Sequence, residues 1–81
     1  MFDKFKEIRK LKALKDEVER EVFESEKNGV KVSVNGGLNV QDLSLNPDLD
    51  IKSQEKALKE CLNDAFRQAQ MAMAKKFSGI I

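Results

Sequence analysis

The sequence predicts an α+β fold of the order α-β-β-β-α, in which two long helices flank a three-stranded antiparallel meander. Two periodicities support this prediction. Valines alternate with polar residues from Val30 to Val34, which is the period-two pattern of a half-buried strand. On either side of this centre, apolar residues recur every three or four positions, as on one face of a helix. At 81 residues the chain is predicted to form a single domain, residues 1–81.

The first helix is predicted from about Phe2 to about Arg20. Its apolar stripe is narrow, closer to a coiled-coil seam than to a broad core face. The charges along this segment are segregated: residues 1–15 hold six cations and two acids, and residues 16–30 hold two cations and six acids. This order opposes the helix dipole at both ends, so helix stability alone does not explain it. The stripe consists of Phe5, Ile8, Leu11, Leu14, Val18 and Val22.

Residues 21–27 allow two interpretations. They could form a charged edge strand, with Phe23 and Ser25 on one side, that pairs with the valine strand through a turn at Lys27-Asn28-Gly29. Alternatively, they could be the frayed end of the first helix. The strand is favoured because it completes a meander.

A second turn is predicted at Asn35-Gly36-Gly37, since these residues tolerate positive φ and allow the chain to reverse tightly. No GK[ST] sequence follows, so a phosphate-binding loop is not indicated. Leu43 and Leu45 then alternate with polar residues and predict a third strand. The sequence Asn46-Pro47-Asp48 is typical of a helix start and predicts a short helical turn.

The second helix is predicted from about Ser53 to Phe77, with Gly79 as its C-terminal stop. Cys61 lies on the edge of its apolar stripe, and no histidine is present to activate the thiol. A small core residue is therefore the preferred interpretation of Cys61. The predicted core consists of Val30, Val32, Val34, Leu43, Leu45, Leu58, Leu62, Ala65, Phe66 and Ala69.

Composition limits the function classes. The chain has no histidine, tryptophan or tyrosine and a single cysteine, which removes the commonest general base and metal ligand. We expect no catalytic residue, metal, cofactor or small-molecule substrate. The single cysteine and the absence of a long apolar run favour a reducing cytoplasm and no membrane association.

Several segments resemble the YbaB/EbfC family of nucleoid-associated proteins. The segments are Val30-Lys31-Val32-Ser33-Val34-Asn35-Gly36, Leu43-Ser44-Leu45-Asn46-Pro47, the run ALKECLNDAFRQA at 57–69, and the opening MFDKFKEIRKLKAL. The resemblance implies a homodimer of α-β-β-β-α subunits that binds DNA with little sequence preference, and it also favours the strand over residues 21–27. Two features depart from the family pattern: residues 26–29 replace a glycine-rich turn, and the C-terminal tail is largely missing.

These observations predict a homodimer that binds double-stranded DNA in the nucleoid through phosphate contacts. Antiparallel packing of the helices would bring the cations near Met1 beside those near Phe77, at the tip far from the sheet. A protein-interaction or chaperone-like helical module that does not bind DNA is the alternative, and the salt dependence of DNA binding distinguishes the two. The candidate DNA-binding residues are Lys4, Lys6, Arg9, Lys10, Lys12, Arg67, Lys75 and Lys76.

Overall fold

The computed structural model describes the backbone of residues 4–78 and the side chains of residues 9–76 and 78. The predicted order α-β-β-β-α is confirmed, and residues 22–27 form a strand, not a frayed helix end. The predicted helix start at Phe2 and the stop at Gly79 lie outside the described residues. The elements are α1 (Lys4–Arg20), β1 (Val22–Lys27), β2 (Val30–Asn35), β3 (Val40–Ser44) and α2 (Ile51–Ser78).

The three strands form an antiparallel meander with β2 at its centre. Val32 is paired with Ser25 on one side and with Leu43 on the other, as the alternation predicts. The β1–β2 connection has positive φ at both central residues, 51° at Asn28 and 83° at Gly29. This is the two-residue hairpin geometry that an Asn-Gly pair favours, and it confirms the predicted turn.

The β2–β3 connection turns for a different reason from the one predicted. Positive φ falls on Leu38, at 63°, and not on Gly36 or Gly37. Gly36 is instead required by close packing, because a Cβ atom there would lie 1.9 Å from the carbonyl oxygen of Val18 in α1. The Gly36 N–H also donates to the carbonyl oxygen of Glu21 at 3.1 Å. The glycine therefore fixes the end of α1 against the sheet.

Helix α2 covers β1 and β2 and forms the core with them. The residues that it presents to the sheet are small, which lets the helix axis approach closely. The Cys61 thiol donates to the carbonyl oxygen of Val30 at 3.3 Å, so this side chain is a core residue as predicted. Leu58, Leu62 and Phe66 are partly buried around this centre. The fully buried set is Val30, Val32, Val34, Ala57, Cys61, Ala65 and Ala69.

The prediction that Leu43 and Leu45 belong to the core is wrong for the single chain. Their exposed fractions are 49% and 50%, and that of Val40 is 47%. By register Leu43 lies on the α2 side of the sheet, beside Val32, but α2 lies over β1 and β2 and leaves β3 uncovered. We call Val40, Leu43 and Leu45 the β3 strip.

The face of the sheet opposite α2 is polar. A shallow depression of about 510 Å³ runs across it, lined by side chains of all three strands that include Glu24, Glu26, Lys31, Ser33 and Asp42. Lys31 pairs with Glu26 at 3.8 Å. Val22, which is 56% exposed, is an apolar side chain of this second face, and the other uncovered apolar side chains of the sheet form the β3 strip.

The segment between β3 and α2 also differs from its prediction. Asn46 caps a β-turn: its side-chain oxygen accepts from the Asp48 N–H at 3.1 Å, and its side-chain amide donates to the Asn28 carbonyl at 2.8 Å. The helix cap is Asp50, whose carboxylate accepts from the Ser53 N–H at 2.7 Å. Hydrogen bonding to Ser53 lowers the pKa of Asp50, as expected for an N-cap carboxylate.

Helix α2 runs antiparallel to β1, and α1 continues beyond its end. Along α2, Gln68 donates to the Glu24 carbonyl at 3.0 Å and Lys76 then bonds to Glu21. The 28 residues of α2 span about 42 Å at the helical rise. The molecule measures 63 × 18 × 13 Å, so its long axis is about one and a half times the length of α2. The N-terminal turns of α1 account for the additional length.

Candidate nucleic-acid interface

The N-terminal half of α1 forms an exposed arm, which we define as residues 4–13. Every described side chain of the arm, from Arg9 to Ala13, is exposed. Arg9, Lys10 and Lys12 form no ion pair among the side chains that the structure describes. The next cation along α1, Lys15, lies 3.9 Å from Glu19. Among the described side chains, the arm thus presents three exposed cations without a carboxylate partner.

Lys4 and Lys6 belong to the same arm by backbone position. Their side chains lie outside the described residues. Their assignment as phosphate contacts remains a prediction from the sequence.

Lys76 does not lie beside the arm, and this part of the prediction is wrong. Its ammonium lies 3.3 Å from a carboxylate oxygen of Glu17 and also bonds to Glu21, at the sheet-proximal end of α1. The hydrogen bond to Glu21 is the main reason that the pKa of Lys76 is raised above its ordinary value. Lys76 therefore holds α2 against α1, while its neighbour Lys75 is exposed.

The cause of this difference is helix length. The prediction assumed that both helices extend away from the same end of the sheet, so that their far ends lie side by side. In the structure α2 begins at the β1–β2 end of the sheet and crosses the whole sheet before it reaches α1. Its C-terminus consequently arrives beside Glu17 and Glu21 rather than at the tip of the arm.

Arg67 is exposed on α2, away from the arm. It lines a shallow depression of about 260 Å³ together with Lys27, Glu60, Asn63 and Asp64. The pKa of Asp64 is lowered, chiefly by hydrogen bonding to the Ser25 side chain and then to Gln68, with smaller effects of the nearby cations. The predicted cations therefore fall into three separate places: the arm, the C-terminal end of α2, and the middle of α2.

A row of six polar residues lies on the outer face of α2, and only one of them, Arg67, was predicted as a site residue. Their spacing of three or four positions is the signal that could have revealed them, because residues so spaced share one helix face. All are exposed. We call this row the α2 stripe: Lys52, Lys56, Lys59, Asn63, Arg67 and Gln70.

Within the described residues, no group of three or more cysteine or carboxylate side chains is placed to hold a metal ion. Over the same residues, none of the helices combines the length and the apolar character needed to cross a bilayer. The polar surfaces on the described part of the chain are thus charged helix faces and shallow depressions.

Comparison with known proteins assigns the chain to a family. No curated protein matches the sequence. The family model described as the YbaB/EbfC DNA-binding family matches residues 1–81, the whole chain. This match supports a nucleoid-associated role with DNA as partner. The chain belongs to the YbaB/EbfC DNA-binding family.

Proposed function

We propose that the chain acts as a homodimer that binds double-stranded DNA largely independently of sequence, through phosphate contacts of its α1 arms. The observation that carries the proposal is the arm itself: Arg9, Lys10 and Lys12 are exposed on a helical segment that projects past the end of α2. Three of the four acids of α1, Asp16, Glu17 and Glu19, lie at its opposite end, where Glu17 and the following residue Glu21 bind Lys76. The helix therefore presents mainly positive charge outward and retains most of its negative charge near the sheet.

The β3 strip supports the homodimer. Val40, Leu43 and Leu45 are each about half exposed, and β3 is an edge strand with one unpaired side. An exposed apolar edge strand is a site where another chain can pair, unless other residues cover it. A second copy would cover it and would place two arms on one assembly.

The arm's composition supports binding without sequence preference. Residues 4–13 hold five cations and one acid, Glu7, with no asparagine or glutamine. Reading base edges commonly uses such side chains in a set with arginine, whereas lysine and arginine alone suit phosphates. A role in organising the bacterial chromosome, within the cytoplasmic nucleoid, follows from binding of this kind.

The test is a titration of a short labelled duplex at several salt concentrations. Binding through phosphates makes log Kobs fall linearly with log salt, by about 0.9 for each phosphate neutralised. Three to six contacts per dimer would give a slope of about −3 to −5. The variant Arg9→Gln/Lys10→Gln should weaken binding to all duplexes alike and make the slope less steep by up to about 2 per arm.

A charge-matched control is available in Lys27→Gln/Lys31→Gln, which removes two exposed lysines from the sheet. Lys31 already lies beside Glu26 at 3.8 Å, so we expect this control to bind DNA as the wild type does. Equal slopes for the arm variant and the control would refute the arm as the binding surface. A protein-interaction module, the alternative function, would bind DNA weakly at every salt concentration and would respond to neither variant.

A further inference from the structure

We infer that the α2 stripe is a second DNA-phosphate-binding surface, which lets one assembly hold two duplex segments at once. The inference rests on the proposed function, because it takes DNA as the ligand. It goes beyond that function in assigning a second contact surface, built from residues other than those of the arm.

The first observation is the alignment of the stripe. At 3.6 residues per turn its six positions fall within an arc of about 80°, and between Lys52 and Gln70 they are the only positions in that arc. The arc lies opposite the buried side chains of α2, Ala57, Cys61 and Ala65. The stripe holds four cations, two amides and no acid, over a length of about 27 Å.

The second observation is that the cations of the stripe are not held in ion pairs among the described side chains. Among the described side chains, Lys52, Lys56, Lys59 and Arg67 form no ion pair, although Glu55 and Glu60 flank them on the same helix. Lys52 and Lys56 also carry like charge at an i, i+4 spacing, which disfavours a helix. Lys52 lies in the first turn of α2, where the helix dipole disfavours cations and where no acid is present. Neither the helix dipole nor the like-charge spacing therefore favours lysine at position 52.

The third observation is the chemistry of the face. Its six side chains are lysine, asparagine, arginine and glutamine, and none is apolar. A protein partner of ordinary affinity would need an apolar or aromatic anchor at the centre of the contact. A polyanion does not, because ammonium, guanidinium and amide groups all donate hydrogen bonds to phosphate oxygens.

The fourth observation is the distance between the two surfaces. Lys52 lies at the end of α2 near the β1–β2 turn, and the arm projects past the other end, in a molecule 63 Å long. The acid-rich segment from Glu17 to Glu26 lies between the arm and the three lysines of the stripe, whereas Arg67 lies level with Glu24, to whose carbonyl oxygen the adjacent Gln68 donates. Positive surfaces that are far apart and separated by acids favour two separate duplex contacts over one continuous contact.

The test is a capture experiment. An unlabelled duplex on beads is incubated with the full-length protein and a second, fluorescent duplex, and the retained fluorescence is measured. The variant Lys52→Gln/Lys56→Gln should retain about tenfold less of the second duplex than the wild type, since it loses half of the stripe's cations. The control Arg20→Gln/Lys31→Gln makes the same change in charge at exposed positions that share no depression with the stripe, and it should retain the wild-type amount.

Two further measurements make the result decisive. The circular dichroism and sedimentation of the stripe variant should match the wild type, because both lysines are exposed and make no ion pair among the described residues. Capture equal to that of the control would overturn the inference, and an arm-dependent salt slope would then leave the proposed function intact. If the wild type showed no salt-dependent binding to a single duplex, the proposed function and this inference would both fail.

Discussion

Helices α1 and α2 have similar sequence patterns and very different environments. Both carry an apolar stripe among many charges. Helix α2 buries four small residues against the sheet, whereas among the described side chains of α1 only Val18 is fully buried. Leu11, on the same stripe of α1, is 44% exposed. The comparison shows that periodicity identifies the face of a helix that can be buried, while the length and position of the sheet decide whether it is.

The largest expected effect tests how α1 is attached. Gly36→Val should destabilise the fold by about 3 kcal/mol, because its Cβ would meet the Val18 carbonyl oxygen and backbone atoms must move to relieve the overlap. Urea unfolding at constant protein concentration measures the change.

The neighbouring glycine provides the control. A Cβ on Gly37 would lie 3.2 Å from the Glu19 side chain, which is flexible and can move aside. Gly37→Ala should therefore lower the free energy of unfolding far less than Gly36→Ala does. Equal costs would mean that the close approach of α1 to the hairpin does not constrain this turn.

The second prediction compares the two ends of the α1 stripe. Val18→Ala should cost about 2 kcal/mol, from the loss of buried methyl groups and the cavity that they leave. Leu11→Ala on the arm should change the free energy of unfolding by less than about 0.5 kcal/mol, since its side chain is largely solvated. A large cost at Leu11 would show that the arm is packed against something, such as the second subunit.

The third prediction concerns the uncovered part of the sheet. If a second copy covers the β3 strip, Leu43→Asn should raise the dimer dissociation constant by about tenfold, because burial of the remaining half of this leucine is lost. Sedimentation equilibrium measures the constant. The control Gln41→Ala changes a neighbouring exposed residue of β3 and should leave the dimer dissociation constant unchanged. A wild-type protein that is monomeric at micromolar concentration would contradict the proposed dimer.

The smallest expected effect lies where the two helices meet. Lys76 gains a carboxylate partner on folding and its pKa is raised above 10.5, so its stabilising contribution is complete below about pH 10.5 and is lost as the pH rises through the folded-state pKa. Lys76→Gln should lower the melting temperature slightly at pH 8, and the difference from the wild type should shrink by pH 11. Lys75→Gln, at an exposed position, should show neither effect.

Local patterns were sufficient for much of this structure. The alternation at Val30, Val32 and Val34 identified the central strand, and Asn28-Gly29 identified the tight turn, because both depend on interactions within a few residues. The core position of Cys61 followed from helical spacing and the absence of an activating group. The resemblance to the family, carried by the strands and by residues 57–69, agrees with the family model that matches the whole chain.

The sequence by itself determined which faces are apolar, where the chain reverses and where the charges are concentrated along each helix. Only the tertiary structure decided which apolar faces are covered, because that depends on where α2 lies across the sheet: over β1 and β2, leaving Leu43 exposed. It also decided the partners of distant charges, since the length of α2 brings Lys76 to Glu17 and Glu21 instead of to the arm. The role of Gly36 belongs to the same class, because contact with Val18 depends on two segments that are separated in the chain and meet only in the fold.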